Sequence, residues 1–154
     1  MMASATVFDD AHAAKCELAA EVLRSSGVLR LQVAGWSMLP TVWPGDTIVI
    51  ERAGSHEVSR GDIVLFGRDR RLFAHRVVAQ ADGSRNEILT RGDAMPQADS
   101  PVSGQELLGK VSCIVRQGKC IQPNRTLRLP ERALAALVRN SDIAARVVVG
   151  VHGI

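Results

Sequence analysis

The spacing of apolar and polar positions changes period along the chain. Over residues 9–25, Ala14, Leu18 and Val22 recur near helical spacing with Cys16 beside them, and Ser25-Ser26-Gly27 supplies a stop. That spacing predicts an amphipathic helix. From Val28 to Ala34 the period drops to two, with Leu29, Leu31 and Val33 alternating, which predicts a strand. Strand signals follow at Thr47–Glu51, Asp62–Phe66, Leu72–Gln80 and Glu87–Thr90, separated by turns bearing Gly, Asp and Arg. Leu108–Arg116 and Lys119–Gln122 make a last hairpin about Gln117-Gly118. Just before it, Ser103-Gly104-Gln105-Glu106 has the pattern of a capping box opening one helical turn. After Pro130 the period is helical again: Leu134, Leu137 and Val138 share a face, and Arg132, Arg139 and Arg146 recur every seven residues. Asn140-Ser141-Asp142 offers a break within that stretch. Short strands at regular intervals predict a mainly β protein, a coiled β-barrel or sandwich, with short helices at both ends. The chain then divides into an N-terminal helical arm (1–28), a β domain (29–122) and a basic C-terminal helical segment (123–154).

A length of 154 residues suits one domain with a core of its own. Aromatics are only 3% and Tyr is absent, so the core must rest on Val, Ile, Leu and Ala. Cys16, Cys113 and Cys120 show no metal-ligand spacing, and reduced thiols are expected. With the turn at Gln117-Gly118, Val115 faces Cys120, so a Cys113–Cys120 disulfide would have to span a diagonal. The longest uncharged run, Leu31–Gly45, is too short for a membrane span and holds two prolines and two glycines. Asp9 and Asp10 stand where a signal peptide has a basic flank, and a soluble cytoplasmic protein is expected. The net charge of +3 hides an asymmetry: residues 110–154 sum to +6 and residues 1–109 to −3. A basic tail of this kind suits a peripheral membrane contact, a nucleic acid, an acidic partner protein at the terminal helices or simply a solvated helix face.

The chemistry-bearing stretch is Gly35-Trp36-Ser37-Met38-Leu39-Pro40-Thr41, between a predicted strand and a loop ending at Gly45-Asp46. A nucleophilic serine needs an exposed hydroxyl and converging backbone N–H groups, and a turn at a strand end supplies both. Gly35 admits a substrate carbonyl close to the backbone. A base is needed too. His12 and His152 lie near the termini and His56 in a polar turn, whereas His75 is mid-strand on the face of Phe73 and Val77, with Arg76 pointing the other way. The loop Thr90–Pro101 offers Asp93 and Asp99 as the carboxylate that orients the base. Trp36, Met38 and Trp43 line a subsite, touch a membrane surface or cover the core.

In order along the chain, these segments resemble the type I signal peptidases. Val33–Thr41 with Trp43-Pro44-Gly45-Asp46 resembles their nucleophile box, and Arg60–Phe66 the following apolar strand. Ala74-His75-Arg76-Val77-Val78 is similar to the strand that carries the base, in the histidine version of the endoplasmic-reticulum and archaeal enzymes. Thr90-Arg91-Gly92-Asp93, with Asp99 and then Leu108-Gly109-Lys110-Val111, resembles the aspartate box of that type. The match runs over about residues 29–116. It implies Ser37 as nucleophile, His75 as general base and Asp99 as orienting carboxylate, with Asp93 supporting or replacing it. Gly35, Trp36 and Met38 would contact substrate, and no cofactor or metal is implied. The implied substrate is an extended peptide with small residues before the cut, bound as an added strand. Three departures stand out: no membrane span is evident, Gly35 takes the place of a serine that donates to the oxyanion in some relatives, and Ala94 follows Asp93 where an amide residue is usual.

Two other readings stay open. A self-cleaving regulator of the LexA type shares the Gly-x-Ser-Met box and the β-fold, but it uses a lysine where His75 stands, and the first 28 residues hold no helix-turn-helix. A catalytically silent module that grips extended peptides would keep the same groove. The LexA-type reading calls for a DNA-binding or cleavable N-terminal arm; for the peptidase reading no nucleic-acid partner is expected.

Overall fold

The computed structural model describes residues 2–80 and 86–140, with side chains from residue 10 onward. Helix α1 (Met2–Ser26) leads into β1 (Val28–Gln32), and the strands β2 (Thr47–Arg52), β3 (Ile63–Arg68), β4 (Arg71–Gln80), β5 (Glu87–Arg91), β6 (Val102–Ser103), β7 (Leu107–Arg116) and β8 (Lys119–Ile121) follow before α2 (Leu129–Arg139). Asn140-Ser141-Asp142 as a break, Arg146, His152 and the tail beyond residue 140 lie outside the described residues. All described strand pairs are antiparallel, in the order β1-β2-β7-β3-β4-β5-β6, with β8 beside β7. The sheet coils without closing into a barrel, since β1 and β6 are the ends of that order.

β3 shows why the sheet curls. Ile63 and Leu65 enter one core cluster with Ile48, Ile50, Val111 and Ile114, while Val64 and Phe66 enter another with Val77, Ile88 and Val102. A strand buried on both faces reads as a continuous apolar run, which is what Ile63–Phe66 does. β7 is long enough to serve two neighbours, pairing β2 along Gly109–Val115 and β3 along Leu107–Lys110. β2 and β7 shift register at Val49/Ile50, a bulge that bends the strands around the core.

Several elements differ from the sequence expectation. α1 presents Ala19 and Leu23 to the core, and Leu18 is 64% exposed. The helix is rich in alanine, so two adjacent stripes are nearly equally apolar and the choice falls to packing. α2 likewise buries Ala135 and Val138 with Leu134 alongside, and leaves Leu137 exposed. Ser103 and Glu106 exchange the reciprocal bonds of a capping box, but these close a turn between β6 and β7 rather than opening a helix. Only three residues separate the two strands there, too few for helix nucleation.

The cysteines also depart from the expected reduced state. Val115 does face Cys120, yet Cys113 and Cys120 are bonded, with Cα atoms 5.9 Å apart. The twist between β7 and β8 draws one diagonal inward, and this spacing lies within the disulfide range. Cys16 is a free thiol, and burial pushes its pKa up, with Glu17 adding to the shift. No helix among the described residues is long and apolar enough to cross a membrane.

Candidate active site

Ser37 begins a run of tight turns. Trp36 O accepts from Leu39 N–H at 3.1 Å, and Met38 O accepts from the N–H groups of Thr41 and Val42 at 2.9 and 3.0 Å. The neck of the loop is closed by Val33 N–H to Asp46 O and Gly45 N–H to Val33 O, both 2.8 Å. Asp46 is buried, accepts from Trp43 N–H and pairs with Arg116 on β7. The loop is therefore tied to the sheet at its base and held by its own backbone at its tip. The Ser37 N–H has no acceptor among the described residues, so it is available beside the hydroxyl.

β4 brings His75 against that tip. His75 is 5% exposed, and its imidazole packs against the rings of Phe66 and Phe73, each 6.0 Å away. Its Nε2 lies 3.0 Å from Ser37 Oγ and its Nδ1 lies 2.7 Å from Asp99 Oδ2. Thr90 donates its hydroxyl to the same Asp99 oxygen at 2.7 Å. Burial pushes the Asp99 carboxyl up, but the hydrogen bonds from His75 and Thr90 and the positive charge of Arg68 outweigh it and hold the carboxyl below its ordinary value. An ionised carboxylate only accepts, so the Nδ1 hydrogen belongs to His75 and Nε2 is left to accept from Ser37 Oγ–H.

Of the two aspartates read from the Thr90–Pro101 loop, the structure brings Asp99 to His75 and places Asp93 elsewhere. Asp93 forms a two-pronged pair with Arg76, at 2.8 Å to each oxygen, and accepts from the Thr41 hydroxyl at 2.6 Å. Both members of the pair are buried. Arg76 also donates to Gly61 O and Asn124 O at 2.8 and 2.6 Å. Asp93 thus ties the loop bearing Ser37 to the strand bearing His75. Arg76, Thr41 and Thr90 were not singled out from sequence as site residues, and the signal for Arg76 was its place on the face opposite His75. A buried guanidinium there must find a carboxylate.

Gly92 closes the arrangement. A Cβ at this position would lie 2.6 Å from Ser37 O and 3.2 Å from His75 Nε2. The neighbouring Ala94 N–H donates to Ser37 O at 2.9 Å, so the aspartate loop lies directly over the serine turn.

In front of Ser37 and His75 is a cavity of about 470 Å³. Its walls include Gly35 and Met38, apolar side chains from β1, β2, β3 and β4, and His12 and Lys15 from α1. Met38 is nevertheless 3% exposed and belongs to the core, where its sulfur takes the Asp93 N–H. Trp36 is exposed and is not part of this cavity's lining. Among the described residues no cluster of His, Cys, Asp and Glu has the make-up of a metal site.

A hydroxyl, an imidazole and a carboxylate in one hydrogen-bonded row, at the edge of an apolar cavity, can deliver a serine alkoxide to a bound carbonyl. In a comparison with protein families, the model described as Peptidase S24-like matches residues 2–112, which is most of the chain. No curated protein matches it.

Proposed function

The chain belongs to the Peptidase S24-like family, and from that premise we propose that it is a serine endopeptidase of the signal-peptidase type that cleaves leader or precursor peptides by acyl transfer. The observation that carries the proposal is the row Ser37 Oγ, His75 Nε2, His75 Nδ1, Asp99 Oδ2, with 3.0 and 2.7 Å contacts, opening on the 470 Å³ cavity. His75 takes the proton from Ser37 as its oxygen attacks the scissile carbonyl, and Asp99 stabilises the imidazolium that forms. The free N–H of Ser37 donates to the oxyanion, and Gly35 contributes no side chain to that task. His75 then protonates the leaving amine, and water, deprotonated by His75, releases the acyl group from Ser37.

The cavity suits an extended peptide. Among the described residues one edge of β1 is unpaired, and β5 pairs β4 only from Arg76 onward, so residues 71–75 of β4 also have an open edge beside the cavity. A substrate strand can hydrogen-bond to such edges and leave alternate side chains for the apolar wall.

One observation favours a second reading, the self-cleaving regulator: His12 and Lys15 of α1 border the same cavity, so the chain's own N-terminal segment passes close to Ser37. The histidine in place of the lysine base, and the helical state of that segment, favour cleavage of a separate peptide. Substituting Ser37→Ala is expected to lower peptide hydrolysis by the purified protein by about 10⁴- to 10⁶-fold. Unchanged hydrolysis by that variant would exclude Ser37 as nucleophile.

A further inference from the structure

A second cavity, of about 270 Å³, lies behind β4 and is walled by arginines. Arg60 reaches it from the turn before β3, Arg76 from β4, Arg91 from β5, Arg125 from the stretch after β8 and Arg132 from α2. The one carboxylate in the lining is Asp93, and both of its oxygens are already taken by Arg76 and Thr41. Arg125 is 3.4 Å from Asp62, whereas Arg60, Arg91 and Arg132 make no ion pair with any described residue. Guanidiniums gathered in this way repel one another, and an anion among them would remove that cost.

The type of side chain narrows the anion. The lining holds no lysine. A guanidinium presents a rigid pair of N–H donors that matches phosphate oxygens, where an ammonium is only a point charge. A carboxylate would bring a single charge to three arginines that have no ion-pair partner among the described residues, whereas a phosphate group brings about two and three acceptor oxygens. Val77, Val78 and Leu127 complete the wall and offer an apolar shelf beside the charges. We propose that this pocket is a binding site for a small phosphate-bearing molecule, distinct from the cavity at Ser37. Arg76 forms part of its wall, so the bound anion would sit against the residue that joins the Thr41 and Asp93 loops. Binding there steadies the serine turn from behind.

The test uses the full chain, with thermal unfolding and calorimetric titration of pyrophosphate and of ADP at fixed ionic strength. Sulfate serves as the control for general salt stabilisation. The wild type is expected to show a saturable rise in Tm with either phosphate compound that exceeds the sulfate effect. Tighter binding of ADP would place its organic part on the Val77–Leu127 shelf, and equal affinity would assign recognition to the phosphates alone. The double substitution Arg91→Ala with Arg132→Ala should weaken binding at least roughly tenfold. Arg91→Lys keeps the charge and serves if the double variant folds poorly; it too should bind more weakly, because the two-pronged geometry is lost. A rise in Tm no larger than that with sulfate, or equal affinity in wild type and variants, would overturn the proposal.

Discussion

At the scale of single residues, the site depends as much on what is small as on what is reactive. Gly92 has no room for a side chain: a Cβ would press on Ser37 O at 2.6 Å and crowd His75 Nε2 at 3.2 Å. Gly92→Ala should therefore move Ser37 relative to His75 by several tenths of an ångström. A misplacement of about 1 Å lowers turnover by about 10²-fold, so a fall of roughly tenfold is expected here, with a stability loss of about 1–3 kcal/mol. Peptide hydrolysis and urea unfolding of the variant check both numbers. Ser37, His75 and a carboxylate from the Thr90–Pro101 loop could be proposed from sequence because a hydroxyl in a Gly/Pro turn, an inward histidine and a loop carboxylate, each weak alone, follow one another in the order of the signal-peptidase boxes. The choice between Asp93 and Asp99 was not legible. It turns on which carboxylate the buried Arg76 claims, and that is a matter of three-dimensional packing.

At the scale of elements, β4 is the organising strand. Consecutive side chains point to opposite faces, so His75 meets Ser37 on one side while Arg76 meets Asp93 on the other. Asp93→Ala would strand a buried guanidinium, and the expected loss is about 3–5 kcal/mol of stability, read from urea unfolding. A second clamp holds the Asp99 loop from outside. Arg68 on β3 donates to Ser100 O and Pro101 O at 3.0 and 2.7 Å and pairs with Glu106. The Arg68 guanidinium, with the backbone bond from Ser103, lowers the Glu106 carboxyl from its ordinary 4.5 to about 2. A depressed carboxylate contributes stability that is fully present above 4.5 and is lost as pH falls through about 2. Glu106→Gln should therefore flatten the fall in Tm over that window, as a pH series of melts would show. Most strands were legible in the sequence, since alternation over four or more residues is a strong signal. The disulfide and the Ser103–Glu106 turn were not. The first follows from the twist between β7 and β8, and the second from a connection too short to hold a helix.

At the scale of the whole molecule, the sheet coils so that three segments far apart in sequence meet around His75, each fixed by its own anchor. Asp46 and Arg116 anchor the serine turn, the aromatic pair Phe66 and Phe73 beds the imidazole, and Arg68 with Glu106 anchors the aspartate loop. α1 adds to this by burying Ala19 and Leu23 in the core while its earlier turns border the cavity. The openness of the sheet was not predictable from strand count, because closure depends on pairing between the ends of the strand order. The central claim is that Ser37 is a nucleophile activated by His75. Intact-mass measurement after incubation with a serine-directed fluorophosphonate tests it most directly. One adduct is expected on the wild-type chain, none on Ser37→Ala and greatly slowed labelling of His75→Ala, with no self-cleaved fragments. An unlabelled wild type, or an adduct that persists in Ser37→Ala, would contradict it.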